Sequence, residues 1–157
     1  MKKHNEFNIP VFNCSCALVL LCFCVLVLSA CTNPAPTDFK TISINKHQIQ
    51  VELADTPQKR SQGLSDRQSI PADQGMLFIF DDYSQPGFWM KDMHFPLDIV
   101  WLEDYTIIKI DKNVPLENNQ NLTVYKPSQP INAVLELNAG YIDEKNIKIG
   151  DRVEIII

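Results

Sequence analysis

The stretch FWMKDMHFPLDIVWL, Phe88 to Leu102, places Lys91, Asp92, His94 and Asp98 among aromatic and aliphatic residues. Charges in so apolar a run serve an ion pair, a ligand or a metal. In a regular strand Trp89, Lys91, Met93 and Phe95 share one face, and Phe88, Met90 and Asp92 share the other. Lys91 then lies beside the Trp89 indole. Arg60, upstream, carries a planar fork suited to a carboxylate. One reading pairs Lys91, Asp98 and Arg60 with one another, fixing register at little net gain in stability. A second makes them a pocket for a small sugar or anionic ligand. There Trp89 stacks, Lys91 and Arg60 hold negative or hydroxylated groups, and Asp98 and Glu136 accept hydrogen bonds.

Two further chemistries use the same residues. Met90, Met93 and His94 offer thioether and imidazole donors suited to Cu(I). Strand alternation separates Met90 from Met93, however, and buried methionine usually fills gaps. No metal and no cofactor are therefore expected. Asp98 and Glu136 would make a carboxylate pair for a hydrolase, if the fold set them at working distance. No nucleophile elbow, zinc-protease helix, phosphate loop or dinucleotide fingerprint occurs. A non-catalytic binding or accessory role is the leading expectation. A hydrolase using Asp98 and Glu136, or a purely structural or partner-binding domain, is the alternative.

The elements that must position these residues begin after an atypical N-terminus. Ala17 to Leu28 is a run of twelve residues without charge. That is short of the roughly 20 apolar residues of a spanning helix and fits a signal-peptide core. Leu28-Ser29-Ala30-Cys31 follows and resembles a bacterial lipobox. The resemblance implies a signal peptide over 1–30, diacylglycerol and palmitate on Cys31, and a Pro-stiffened tether over 31–38. A single domain would then fill 39–157. Expected with it are membrane attachment through the lipid, an envelope protein partner and an address outside the cytoplasmic membrane. With Thr32 after the cysteine, the outer membrane is favoured in a Gram-negative cell. All five cysteines lie at or before Cys31, so the domain has neither disulfide nor cysteine ligand. The formal net charge of −5 becomes −6 without Lys2, Lys3 and Glu6. No basic cluster appears, so nucleic acid is not an expected partner.

From Phe39 the pattern has period two. Ile42 and Ile44, then Ile49, Val51 and Leu53, flank Asn45-Lys46 and read as a hairpin. Thr56, Pro57 and Gly63 bracket one short helix near 57–62. GMLFIFDD reads as a central strand ending in solvent at Asp81 and Asp82. FWMKDM, LDIVWL, IIKIDKNV, LTVYK and INAVLEL read as further strands. Gly150-Asp151 reads as a turn, and the closing VEIII as a paired interior strand. Eight or nine strands with one helix give a mainly β fold, a small β-sandwich or open barrel.

TPQKRSQGL, GMLFIF, FWMKDMHFPLDIVWL, VLELNAG and IKIGDRVEI, in this order, resemble the family called domain of unknown function 192, or uncharacterised protein family 0127. The resemblance spans nearly all of 39–157. It implies a compact, jelly-roll-like β domain with one helix, and no established activity. The family often reads Trp-Met-Lys-Asn-Thr, whereas this chain has Asp92 and Met93, and His94 also lies outside the pattern.

Overall fold

The computed structural model describes residues 39–118 and 120–156. The signal-peptide, Cys31 and tether assignments fall outside them. Seven strands form one sheet: β1 (Phe39–Ile44), β2 (His47–Ala54), β3 (Gln74–Ser84), β4 (Leu97–Glu103), β5 (Thr106–Val114), β6 (Ile131–Asn138) and β7 (Val153–Ile156). Two short helices accompany them, α1 (Pro57–Gln62) and α2 (Tyr141–Glu144). The spatial order is β5-β4-β6-β3-β2-β1-β7, so β3 is central, as its two apolar faces require. All pairings are antiparallel except β2 with β3. A parallel pair needs a crossover, and α1 lies in it.

The local chemistry explains these boundaries. Asn45 and Lys46 both take positive φ, 50° and 71°, and so do Asp104 and Tyr105 between β4 and β5, at 48° and 63°. Such turns match the twist of a tight hairpin. Thr56 accepts a hydrogen bond from the Lys59 amide at its hydroxyl, 3.3 Å away. Pro57 opens α1, and Gly63 ends it at φ 51°.

The sheet curls until its edges touch. Thr106 on β5 bridges Arg152 just before β7. Ile107 N donates to Asp151 O at 2.9 Å, and Val153 N donates to Tyr105 O at 2.8 Å. One core lies inside the curl and draws on all seven strands, with Ile44, Val51, Leu77, Val100, Ile107, Leu135 and Val153 fully or nearly buried. The second lies on the outer face of the central strands, around Phe78, Ile99, Trp101 and Val134. Leu64, Met90 and Phe95 from the flanking loops cover it. The fold is thus the open barrel of the two expected forms.

Three expected strands differ. FWMKDM is a loop that turns at Asp92. LTVYK contributes one bridge, Tyr125 to Phe88, instead of a strand. β7 is an edge paired with β1 alone over 153–156, and Glu154, Ile155 and Ile156 are exposed. Apolar residues there do not imply an interior strand, because only Val153 turns into the barrel.

Gly75 fixes the approach of β3 to β6. A Cβ at this position would lie 2.4 Å from the Glu136 carbonyl oxygen and 2.7 Å from Leu137 Cδ2. Gly75→Ala is expected to force these strands apart and cost about 1–3 kcal/mol, read as a lowered midpoint in urea. An unchanged midpoint would show that the sheet gives way freely.

Candidate functional site

Residues 86–93 run over the outer face of the sheet and dock against the turn after α1. Ser65 Oγ donates to Lys91 O at 3.0 Å, and Asp66 N donates to Asp92 O at 2.9 Å. Asp92 makes the bend at φ 55°. Asn and Asp are the residues most tolerant of that left-handed geometry. The departure from the family's asparagine therefore keeps the bend.

Between this loop, α1, β3 and β6 lies a cavity of about 300 Å³. Leu64, Phe78, Phe80, Pro86, Phe88, Trp89 and Met93 form its apolar walls. Phe88 meets Phe78 edge to face at 4.9 Å and Trp101 at 5.4 Å, which sets the inner wall. Trp89 stands at the rim, 52% exposed. Arg60 also lines the cavity, but its guanidinium is committed. Nη1 donates to Asp55 O at 3.0 Å and Ile79 O at 2.8 Å, and the group lies over the Phe80 ring at 5.4 Å.

Glu136 is the polar feature of the interior. It is 7% exposed. Its side chain has no hydrogen-bond or ionic partner among the described residues, although every fully enclosed polar side-chain atom there has one. Its carboxyl oxygens therefore face the open space of the cavity. Burial alone pushes this carboxyl up to about 8, since a charge in an apolar setting is poorly solvated. The cross-strand row Ile99–Glu136–Met76–Glu52 supplies a contrast. Glu52, two strands away in that row, is held by both guanidinium nitrogens of Arg67, with Nη2 at 2.8 Å. The fold provides a partner for one carboxylate of the row and none for the other.

Of the sequence candidates, Arg60, Trp89 and Glu136 meet at this cavity, and Lys91 and Asp98 do not. Lys91 is exposed on the loop. Asp98 pairs with Leu137 in β6, whereas Glu136 pairs with Ile99. Neighbouring strand positions point to opposite faces. Asp98 thus faces the inner core and Glu136 the outer one. There Asp98 accepts from Asn113 N at 2.8 Å and Ile142 N at 3.0 Å. The sheet stands between the two carboxyls, so the expected hydrolytic pair does not assemble. The Lys91–Asp98–Arg60 ion pair does not form either.

The metal candidates scatter as well. Met90 is buried in the outer core, Met93 lines the cavity and His94 is exposed. Among the described residues no group of three or more His, Cys, Asp or Glu side chains converges. Phe78, Phe80, Phe88 and Leu64 are the wall residues that sequence reading missed. Their apolar character marked them as core, and only the loop path makes them a wall.

An open-barrel domain with a largely buried, unpaired carboxyl lining a cavity is the class of protein this geometry defines. The chain belongs to the DUF192 family, described as Uncharacterized ACR, which matches residues 40–155. Two solved structures are similar. One, described as a putative transcription regulator from Sinorhizobium meliloti 1021, is 31% identical, with a TM-score of 0.71, over 77% of this chain and 96% of that one. The other, a protein of unknown function from Novosphingobium aromaticivorans DSM 12444, is 29% identical, with a TM-score of 0.69, over 74% of this chain and 84% of that one. No curated protein matches the chain.

These relatives correct the localisation reading. Lipid anchoring at Cys31, membrane attachment, an envelope partner and an outer-membrane address were expected. Neither similar structure is described as a lipoprotein or envelope protein, and one is described as a putative regulator. No helix among the described residues is long and apolar enough to cross a membrane. The lipoprotein, palmitate and membrane assignments are withdrawn. The Leu28–Cys31 lipobox itself lies outside the described residues and outside the family match over 40–155.

Proposed function

We propose that the domain is a non-catalytic binding module whose site is the cavity between α1, β3, β6 and residues 86–93. The observation that carries this reading is Glu136, a largely buried residue that lines the cavity and whose carboxyl has no partner among the described residues. An unpaired buried polar group is costly, and a ligand that satisfies it recovers that cost on binding. Apolar walls with one polar group suit a small molecule, and the volume lies at the lower end of the roughly 300–1,000 Å³ of such sites. A sugar, with hydroxyls all round, would leave most of them unpaired here. An anion would meet a carboxyl, with the nearby guanidinium already committed.

The relative described as a putative transcription regulator supports a sensing role, in which occupancy is passed to another component. The net charge of −5 argues against this domain gripping phosphates itself. A second reading, service through a protein partner, draws on the same description and on the rim. Trp89 and Val124 are about half exposed, and Val124 packs against Gly87 at the cavity edge. The two readings share a surface, since a partner that covers the mouth would report occupancy.

The test is a screen of small apolar fragments, followed by Trp89 fluorescence and calorimetry. Binders with Kd below about 1 mM are expected. Trp89→Ala should weaken them about tenfold or more, with the melting temperature unchanged because the indole is half exposed. Binders indifferent to this substitution would place the site elsewhere.

A further inference from the structure

We propose that the cavity takes an organic ammonium ion with an apolar body, its nitrogen on Glu136 and its body against Phe78, Phe88 and Trp89. This rests on the cavity being the binding site. Three observations select a cation over a neutral or anionic ligand. Among the described residues that line the cavity, the largely buried ionisable side chain without a partner is a carboxyl, which accepts the N–H groups of an ammonium once ionised. Its neighbours are aromatic, and ring faces attract cations most strongly where water is excluded. The one other ionisable group lining the cavity, Arg60, directs its guanidinium to two backbone carbonyls and the Phe80 ring. Phe80 already carries a cation on its face; Phe78, Phe88 and Trp89 do not.

The empty carboxyl keeps its proton at neutral pH because burial raises it to about 8. An ammonium supplies the missing opposite charge and stabilises the ionised form. The O–H bond of Glu136 breaks as the cation seats, and the proton leaves to the solvent. Binding near pH 7 is therefore coupled to release of close to one proton per ligand, and at pH 9 to almost none. A neutral ligand of the same shape binds without this release.

The same chemistry is carried by a free amine or by a lysine side chain of a partner protein. Titration calorimetry of the full chain with 2-phenylethylammonium, 2-phenylethanol and 3-phenylpropionate, in buffers of different ionisation enthalpy, reads both affinity and protons. The ammonium is expected to bind at least tenfold more tightly than the alcohol, with proton release at pH 7. Glu136→Gln should abolish the difference, with a melting temperature at pH 7 raised above that of the parent, so that the loss of preference is not a loss of fold. A blocked tripeptide, acetyl-Gly-Lys-Gly-amide, tells the sources apart. Binding of the peptide with proton release assigns the ammonium to a protein side chain, and binding of the amine alone assigns it to a free molecule. Equal affinity of amine and alcohol, or tighter binding of the carboxylate, overturns the ammonium proposal and leaves the cavity as a binding site. If no probe binds, both the ammonium proposal and the binding-site reading fall.

Discussion

Glu136→Gln is expected to make the protein more stable than the parent at pH 9, by about 3–5 kcal/mol, and nearly equal to it at pH 4. The carboxyl titrates near 4.5 when free and near 8 in the folded chain, because burial penalises its charge. Below about 4.5 it is protonated in both states and has no effect on the balance. Between 4.5 and 8 the unfolded chain has released the proton and the folded chain has not. Each unit of pH in that window then costs about 1.4 kcal/mol of stability. The stability carried by the protonated group is thus fully present below 4.5 and lost as pH rises through 8. Glutamine titrates nowhere in this range, so the variant should lack this slope. Urea unfolding of both chains at pH 5, 7 and 9 measures the difference, in which the carboxylates common to both cancel. Parallel pH profiles would show that water solvates Glu136 freely.

The second large effect is expected at Asp98. This residue is fully buried and accepts from the backbone amides of Asn113 and Ile142. It ties the end of β5 to the start of α2 from the inner face of β4. Asp98→Ala leaves two amides without an acceptor, each worth about 1–3 kcal/mol when orphaned in the interior. A loss of about 3 kcal/mol or more is expected. Asp98→Asn should recover only part of it, because one of its two terminal groups is a donor facing a donor. Chemical denaturation checks both. Binding of the ammonium probe at the cavity should survive in whichever variant remains folded, since the sheet separates Asp98 from Glu136. A variant that folds normally but loses binding would contradict that separation.

The two carboxylates mark what is legible in this chain. Hydrophobic alternation over Ile42–Leu53, the Asn45-Lys46 turn, the Thr56-Pro57 start and Gly63 stop of α1, and the central place of GMLFIF are all local matters. Period, caps and turn geometry act within a few residues, so residue types alone determine them. The family and the mainly β class follow from the same blocks, whereas the contact between the sheet's edges decided for an open barrel over a sandwich.

The site does not follow so directly. FWMKDM has the composition of a strand, yet Asp92 bends it, and it docks through Lys91 O and Asp92 O onto the turn after α1. Its path makes Phe78 and Phe88 a wall, brings Trp89 to the rim and leaves Lys91 in solvent. Asp98 and Glu136 look equivalent in one dimension, both acidic residues within apolar strands. Register decides that one faces the inner core with two amides to hold, and the other an outer cavity with none. A shift of one residue would exchange those roles, because strand faces alternate at every step. Local pattern therefore determined the elements, and long-range pairing alone decided which carboxyl holds two amides and which is left without a partner.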